Sequence, residues 1–594
     1  MCGIGGVLGH PQPAVLNRMN HLQKHRGPDE QSTWVDHHVG FAHTRLAILD
    51  VDGSQQPISA PNGSVLIVNG EIYNHEVIRH SNPHYPFSTA GDSEAILALH
   101  AASRPTSGKP SAQDYANWLG MLDGMYALAL WDAQHEQLIL ARDPMGIKPL
   151  MRTQIGGDML FASEVKAFHA DERYTPQLDE LAFAARLVWE YPLDATTLLK
   201  GVHHVRPGTV EVWSTNQHGE ASCTGVAEIE RQAMKPAKAW DPSHQAEPLL
   251  DSFITSVQQR LMADVPVGIV LSGGLDSSLV AAVAHEAAQR ADQPVPECWT
   301  VAESEENPDW IAAEHVASHF DLRHHQHLLE QDAFEQRLPQ LVWHGEDIDV
   351  TVLFFNPLFE HMSRHVKVGL CGQGADELHA GYPRYGHLAD HNNALQERMQ
   401  ALPDVMRQQL EQGRLKSEEG WYLDRHQPQE HTKDLQTMLD FELNHGQLSN
   451  FQLRLVDRHS MAHSLEVRVP FLGSEHRKET YALPMDWRRS QQREEKAALR
   501  RAADLTDLPK DIVRRPKLPA GRATSPTMLN TFLDQYSAQT EELMERYKTW
   551  APALKGQEEL SLGLGLFEAL HLHEGGYTKV NRSVHDLLNE VIEC

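Results

Sequence analysis

Residues 269–280 read IVLSGGLDSSLV: an apolar run, a loop of glycines and serines, and then the alanine-rich stretch SSLVAAVAHEAAQ that extends to 289. The pattern predicts a strand, a tight loop and a helix. Small residues let backbone N–H groups close on a phosphate, and the helix N-terminus adds partial positive charge at that point. The loop lacks the Gly-Lys-Ser/Thr ending of the ATPase P-loop, which excludes that mode of phosphate binding. Further on come a short strand CWTV (298–301), a helix around DWIAAEHVASHF (309–320), a strand near HHQHLL (324–329), a helix to Trp343 and a strand in VKVGLCG (366–372). Strands alternating with helices predict a doubly wound parallel sheet. Beyond Ala401 the pattern is mostly helical.

Upstream the texture is different. The first ~210 residues hold short β-type runs, such as SVLIVNGEIYN (64–74), MYALALWD (125–132), EQLILARD (136–143) and DMLFASE (158–164), separated by Gly, Asn, Asp and Pro. They predict stacked sheets with a few helices. Polar and small residues in STNQHGEASCTG (214–225) and prolines in KPAKAWDPSHQAEP (235–248) read as a linker. The expected organisation is therefore one domain over 1–213, a linker over 214–248 and a second domain over 249–594; a chain of 594 residues is too long for a single core.

Composition narrows the function classes. A formal charge of −29, from 81 acidic against 52 basic residues, opposes non-specific contact with nucleic acid or anionic membranes. No apolar run approaches the ~20 residues of a membrane span. The start, MCGIGGVLGHP, has no basic region and four glycines, so it does not read as a signal peptide, and a cytoplasmic location is expected. The 37 histidines are scattered, with RHHQHLL reading as a strand edge, and no metal-ligand spacing stands out. Five cysteines, at 2, 223, 298, 371 and 594, form neither a disulfide framework nor a metal motif.

Cys2 has a chemical use. Removal of the initiator methionine would place its thiol beside a free α-amine with a pKa of about 7.7–8.0, able to take the thiol proton near neutral pH. Arg45 of HTRLAILD offers a guanidinium for a bidentate grip on a carboxylate. Asn69 and Gly70 at a strand end offer an amide and a backbone N–H suited to an oxyanion. Asp92 of AGDSEAI is either an N-cap or a partner for a substrate ammonium.

With CGIGG at 2–6, HRGPD at 25–29, RLAI at 45–48, NGEIYN at 69–74 and GDSE at 91–94, in that order, the N-terminal portion resembles the class II glutamine amidotransferases. The resemblance implies the αββα fold of N-terminal-nucleophile hydrolases, with Cys2 as glutaminase nucleophile and Asn69 and Gly70 as oxyanion hole. It also implies a glutamine site formed by Arg45, Leu46, Ala47, Ile48, Leu49, Asn69, Gly70, Glu71 and Asp92.

The loop at 272–277 resembles the pyrophosphate-binding motif of ligases that cleave ATP to AMP and pyrophosphate. The segments CGQGADELHAGY (371–382), DRHSMAHSLEVRVPFLG (457–473), EEKAALRRA (494–502) and RRPKLPAG (514–521) extend the resemblance to the glutamine-hydrolysing asparagine synthetase family. It implies ATP contacts at Leu271, Ser272, Gly273, Gly274, Asp276, Ser277, Val301, Cys371, Gly372 and Gln373, Mg²⁺ ligands at Asp276 and Asp376, and a catalytic Lys517. Arg458 and Arg468 read either as ion-pair formers, the favoured role, or as phosphate clamps. The partners so implied are glutamine, aspartate and ATP, with a homodimer as a possible assembly and neither nucleic acid nor membrane.

Three departures stand out: Cys371 for the family's serine, Gln373 for its glutamate, and His379-Ala380 for Phe-Gly. Glutamine can hydrogen-bond but cannot act as an acid or base. Either this branch tolerates Gln373 or the acceptor site differs, and nearby Glu346 could supply a carboxylate. Two alternatives therefore stand beside asparagine synthesis: the same chemistry on another carboxylate, and a non-catalytic relative.

Overall fold

The computed structural model describes residues 2–103, 108–229, 234–351, 355–517 and 527–594. The N-terminal half holds β1 (Cys2–Leu8), β2 (Glu30–Val35), β3 (Val39–Arg45), β4 (Ile58–Ser59), β5 (Val65–Ile72), β6 (Gly124–Asp132), β7 (Gln137–Arg142), β8 (Met151–Ile155), β9 (Asp158–Ala162), β10 (His203–His204), β11 (Thr209–Thr215) and β12 (Ala221–Glu228). These form two six-stranded sheets, ordered β10-β8-β9-β1-β3-β2 and β12-β11-β7-β6-β5-β4, in which the paired strands run antiparallel.

Burial on both faces explains why these strands read as continuous apolar runs. Ile4, Leu8 and Phe41 of the first sheet meet Val65, Ile67, Ala129 and Leu140 of the second in one apolar layer. The other face of the second sheet, with Leu66, Val68 and Leu128, packs on the helices Glu94–Ala102 and Ala112–Leu119. The outer face of the first, with Val7, Ala42 and Leu160, packs on Pro13–Leu22 and Glu180–Trp189. The order of layers is αββα, as expected.

The C-terminal half is built on five parallel strands, β13 (Val267–Val270), β14 (Glu297–Ala302), β15 (His324–Leu328), β16 (Val368–Leu370) and β17 (Glu466–Arg468), ordered β15-β14-β13-β16-β17. One face packs on the helices Leu275–Ala282 and Ala284–Ala291 and the other on the helix Phe355–Ser363. The chain runs outward from β13 to β15, then returns to β16 on the other side of β13. This topological switch point is where open parallel sheets bind ligands, at the carboxyl ends of the strands. The glycine-rich loops at 271–274 and 371–374 follow these two central strands. The histidine-rich β15 is a sheet edge, as its sequence suggested.

Parts of the segment read as a linker have regular structure. β11 runs to Thr215 and β12 continues the second sheet to Glu228, while the helix Pro242–Arg260 starts before 249. The edge strand β12 exposes most of its side chains, so it lacks an apolar signature. Asp241 caps the helix by accepting from Ser243 N, with Pro242 at its first position, so Pro242 marks a helix start, while Pro248 lies inside that helix.

Candidate active sites

The first constellation forms where β1 begins and β3 and β5 end. Cys2 pairs with Arg45 in the antiparallel β1–β3 register, which brings thiol and guanidinium onto neighbouring strands. Burial pushes the Cys2 thiol pKa up, while a hydrogen bond from the Leu46 backbone to the sulfur opposes that rise. The Cys2 backbone N–H donates to Asn69 Oδ1 at 3.2 Å. That bond orients the amide and leaves Asn69 Nδ2 buried with no partner among the described residues. An aimed, unused donor beside a nucleophile is what an oxyanion hole requires. Gly70 follows with φ +155°, and a Cβ on it would lie 2.0 Å from the Met125 carbonyl oxygen, so only glycine fits here.

Arg45 donates through Nη1 to the Val51 carbonyl and through Nη2 to the Asp50 carbonyl, both at 2.8 Å. Glu30 Oε2 lies 3.9 Å from Nη1, and the remaining N–H groups of a guanidinium suit a substrate carboxylate. Leu46, Ala47 and Ile48 are buried and Leu49 half-buried in the loop between. Asp92 lies at the end of β5, where one carboxylate oxygen accepts from Ile72 N at 2.6 Å, and burial raises its pKa. Glu71 faces the other half of the molecule: Arg468 approaches its carboxylate at 3.3 Å, and burial holds its pKa well above the ordinary range.

The second constellation lies at the switch point. Ser272 N–H donates to Ser277 Oγ at 3.0 Å and the two hydroxyls lie 2.9 Å apart, which folds the loop onto the start of the helix Leu275–Ala282. Leu271 N–H donates to the Trp299 carbonyl at 2.9 Å, and its own carbonyl accepts from Thr300 Oγ1 at 2.6 Å, so the loop is tied to β14 beside Val301. A Cβ on Gly372 would lie 2.8 Å from Asp276 Cβ. The absence of that atom lets the two glycine-rich loops touch, so the motifs resembling nucleotide contacts share one place. Cys371, adjoining Gly372, is buried, which pushes its thiol up to about 12.

Asp276 and Asp376 are drawn together by two cations. Lys496 reaches both carboxylates at 2.6 Å. Lys517 lies 2.7 Å from Asp376 and 4.0 Å from Asp276. Burial alone would raise the Asp376 carboxyl, but the two ammonium groups outweigh it and hold it far below the carboxylate range. Lys517 is shifted the opposite way: burial would lower its pKa, and Asp376 and Asp276 raise it instead. Adjacent Glu377 is pushed up to about 7 by burial and then by Asp376. Two converging carboxylates are hard oxygen donors of the kind Mg²⁺ takes. Lys496 received no role from the sequence, although its Lys-x-x-Leu-Arg element was visible; a lysine at a helix start ordinarily reads as solvated. The remainder of the RRPKLPAG loop, 518–521, lies outside the described residues.

The suggestion that Glu346 replaces the missing glutamate is overturned. Its two oxygens are held at 3.0 Å each, by Lys166 and Arg458, in a buried ion cluster where the halves meet. Gln373 instead donates to Gln452 Oε1 at 2.9 Å. The His379-Ala380 departure is also local. His379 is buried against His476 and Phe471, and Ala380 adopts the left-handed conformation with φ 57° that glycine takes freely.

The same boundary gives HRGPD a role that its sequence did not disclose. Arg26 is fully buried and donates to Glu164 and Asp457 at 2.8 Å each and to the Cys2 carbonyl at 3.2 Å. Arg468 pairs with Glu466 and Arg458 with Glu346, so both serve as ion-pair formers, as expected. Among the described residues one trio, His25, Glu164 and His344, brings potential metal-ligand atoms within 4.8 Å. Glu164 already pairs with Arg26 and Lys166, and two cations on one carboxylate oppose a third.

No helix among the described residues is long and apolar enough to cross a membrane. A family model described as asparagine synthase matches residues 249–550, and one described as a glutamine amidotransferase domain matches 1–223. Asparagine synthetase [glutamine-hydrolyzing] 3 of Bacillus subtilis is 28% identical, over 89% of this chain and 88% of its own. Asparagine synthetase B of Escherichia coli is 32% identical over 67% of each chain. A solved structure of the allosteric regulatory enzyme of purine biosynthesis aligns with 49% of this chain and 64% of its own at 19% identity, with a TM-score of 0.28, too slight a likeness to build on. With the asparagine synthase model spanning half of its length, the chain belongs to the asparagine synthase family.

Proposed function

We propose that the chain is a glutamine-dependent asparagine synthetase, in which glutamine is hydrolysed at Cys2 and the released ammonia converts an activated aspartate to asparagine. The observation that carries this reading is the pairing, in one chain, of a buried thiol facing an unused amide donor with two carboxylates held by Lys496 and Lys517 beside a glycine-rich loop.

In the first site the Cys2 sulfur attacks the side-chain amide of glutamine. Asn69 Nδ2 and the Gly70 backbone stabilise the charge that develops on the amide oxygen. Arg45 takes the α-carboxylate of glutamine and Asp92 its ammonium. Ammonia leaves, and water hydrolyses the resulting thioester to glutamate. Ammonia then passes inside the protein, because in bulk water it would protonate to unreactive ammonium.

In the second site aspartate displaces pyrophosphate from ATP, and the acyl-adenylate gives ammonia a carbon with a good leaving group. Backbone N–H groups at Gly273 and at the start of the helix Leu275–Ala282 cradle the phosphates. Asp276 and Asp376 would hold Mg²⁺, whose contribution is to neutralise the leaving pyrophosphate. Lys517 and Lys496 stabilise negative charge on the transferring group once they exchange their carboxylate partners for phosphate oxygens. Products are asparagine, glutamate, AMP and pyrophosphate. The reading takes the enzyme to be cytoplasmic, and a homodimer is compatible with it.

Gln373 favours no other acceptor, since its hydrogen bond to Gln452 gives it a positioning role that needs no ionisation. The test is release of AMP and pyrophosphate from ATP, Mg²⁺ and glutamine, with and without aspartate. Aspartate-dependent AMP in step with asparagine, abolished by chelation of Mg²⁺, supports the reading. Glutamate release without aspartate-dependent AMP contradicts the aspartate assignment.

A further inference from the structure

The loop 46–50, which follows Arg45, is gripped from the other half of the molecule. Asp264, just before β13, donates its backbone N–H to the Ile48 carbonyl at 2.9 Å. Its carboxylate oxygen Oδ2 accepts from the Asp50 backbone N–H at 2.7 Å. One residue thus brackets Leu49 from both sides. Lys367, just before β16, adds a second hold: its ammonium lies 2.8 Å from Asp29 Oδ2 and 3.4 Å from the Ala47 carbonyl, and Asp29 Oδ2 also accepts from Ala47 N at 2.8 Å. Beneath these polar contacts Leu46 and Ile48 pack with Ala263, Val368 and Met461.

Asp50 makes this hold matter to the site. It adopts φ 49°, an uncommon conformation for a residue with a side chain. Its carbonyl accepts from Arg45 Nη2 at 2.8 Å. Its carboxylate accepts from Ser54 Oγ at 2.6 Å and from Ala90 N at 2.9 Å, on the loop that leads to Asp92. Asp50 therefore joins the two residues that would grip the ends of glutamine, and its own backbone N–H is held by Asp264.

We propose that Asp264 is a positioning residue for glutamine binding: its carboxylate, supplied by the ATP-binding half, fixes Asp50 and through it the spacing of Arg45 and Asp92. This inference rests on the glutaminase reading above. Asp264 bonds Ile48 and Asp50 rather than Leu46, whose backbone N–H meets the Cys2 sulfur, so its loss weakens the grip on glutamine while the reactivity of Cys2 stays as it was. β13 and β16, which carry the latch at their amino ends, carry the two glycine-rich loops at their carboxyl ends, so one pair of strands holds parts of both sites.

The experiment uses the full chain with Asp264→Ala and Asp264→Asn. Two thiol probes are compared: 6-diazo-5-oxo-L-norleucine, which must be held like glutamine, and iodoacetamide, which needs only the thiol. Asp264→Ala is expected to raise KM for glutamine about fivefold to tenfold with kcat little changed. It should slow the diazo-ketone by the same factor and leave iodoacetamide labelling of Cys2 at the wild-type rate. Asp264→Asn, whose amide oxygen can accept the same bond, should restore both. Equal rates for wild type and Asp264→Ala with the diazo-ketone, parallel slowing of both probes, or an Asp264→Asn variant as impaired as Asp264→Ala would each overturn the proposal. Wild-type protein that takes iodoacetamide but never the diazo-ketone would instead overturn the glutaminase reading.

Discussion

Around Cys2 the polar groups await a neutral substrate: Asn69 Nδ2 has no partner among the described residues, and Arg45 spends two of its N–H groups on carbonyls. Around Asp276 the charges have already closed on one another, with Lys496 on both carboxylates and Lys517 on Asp376. The difference follows from what each site must bind. An amide oxygen acquires charge only during reaction, so donors fixed beforehand by an antiparallel sheet suit it. ATP arrives with its charge, and buried carboxylates and ammoniums left single until then would incur a large desolvation penalty. On the proposed reading the first site is preorganised, and the second exchanges ion partners on binding.

The comparison can be broken most severely at the nucleophile. Cys2→Ala should lower glutamate release from glutamine by at least about 10⁴-fold, because the proposed reaction passes through the Cys2 thioester. Its ATP loops should remain intact, which is checked by ATP-dependent protection from thermal unfolding. Lys517→Ala probes the other site: AMP formation should fall by about 10²- to 10³-fold while glutamate release stays within about twofold of wild type. Equal losses in both reactions would show that the sites are not separable in this way.

Asn69→Ala sharpens the claim of preorganisation, with an expected loss of about 10²-fold in kcat for glutamine hydrolysis and little change in KM. A rise in KM alone would assign Asn69 to ground-state binding. The smallest effect is expected at Ala380, where a side chain sits in the left-handed region. Ala380→Gly should stabilise the chain by about 0.5–1 kcal/mol and leave AMP formation unchanged. Chemical denaturation and the AMP assay check the two halves of that expectation.

Both sites were legible where their chemistry is carried by contiguous loops. SGGLDS and GQGADE each follow an apolar strand, and the strand–loop–helix pattern was enough to anticipate a parallel sheet with its ligand loops at one edge. Cys2 and the NGEIYN strand were equally visible, and they meet across the two stacked sheets, where Cys2 N–H donates to Asn69 Oδ1. What escaped depended on distance or exposure. Arg26 meets Asp457 across 431 residues, and nothing local in HRGPD points there. Lys496 is buried at 2% exposure, and a Cβ on Gly381 would lie 2.1 Å from Lys496 Cε, so its place among the carboxylates depends on a glycine 115 positions away. β12 was mistaken for linker because an edge strand needs few apolar residues. Glu346 was assigned by sequence proximity to the GQGADE loop, whereas its ion pairs belong to the boundary between the halves.

The most direct test of the central claim, that one chain runs both sites in series, is transfer of label from glutamine carrying a heavy isotope in its amide nitrogen. Purified protein is given this glutamine, aspartate, ATP and Mg²⁺ with no added ammonium, and asparagine, glutamate and AMP are measured together. The account predicts asparagine labelled in its amide, with one AMP formed for each asparagine. Labelled ammonium accumulating with glutamate, and no labelled asparagine, would contradict it.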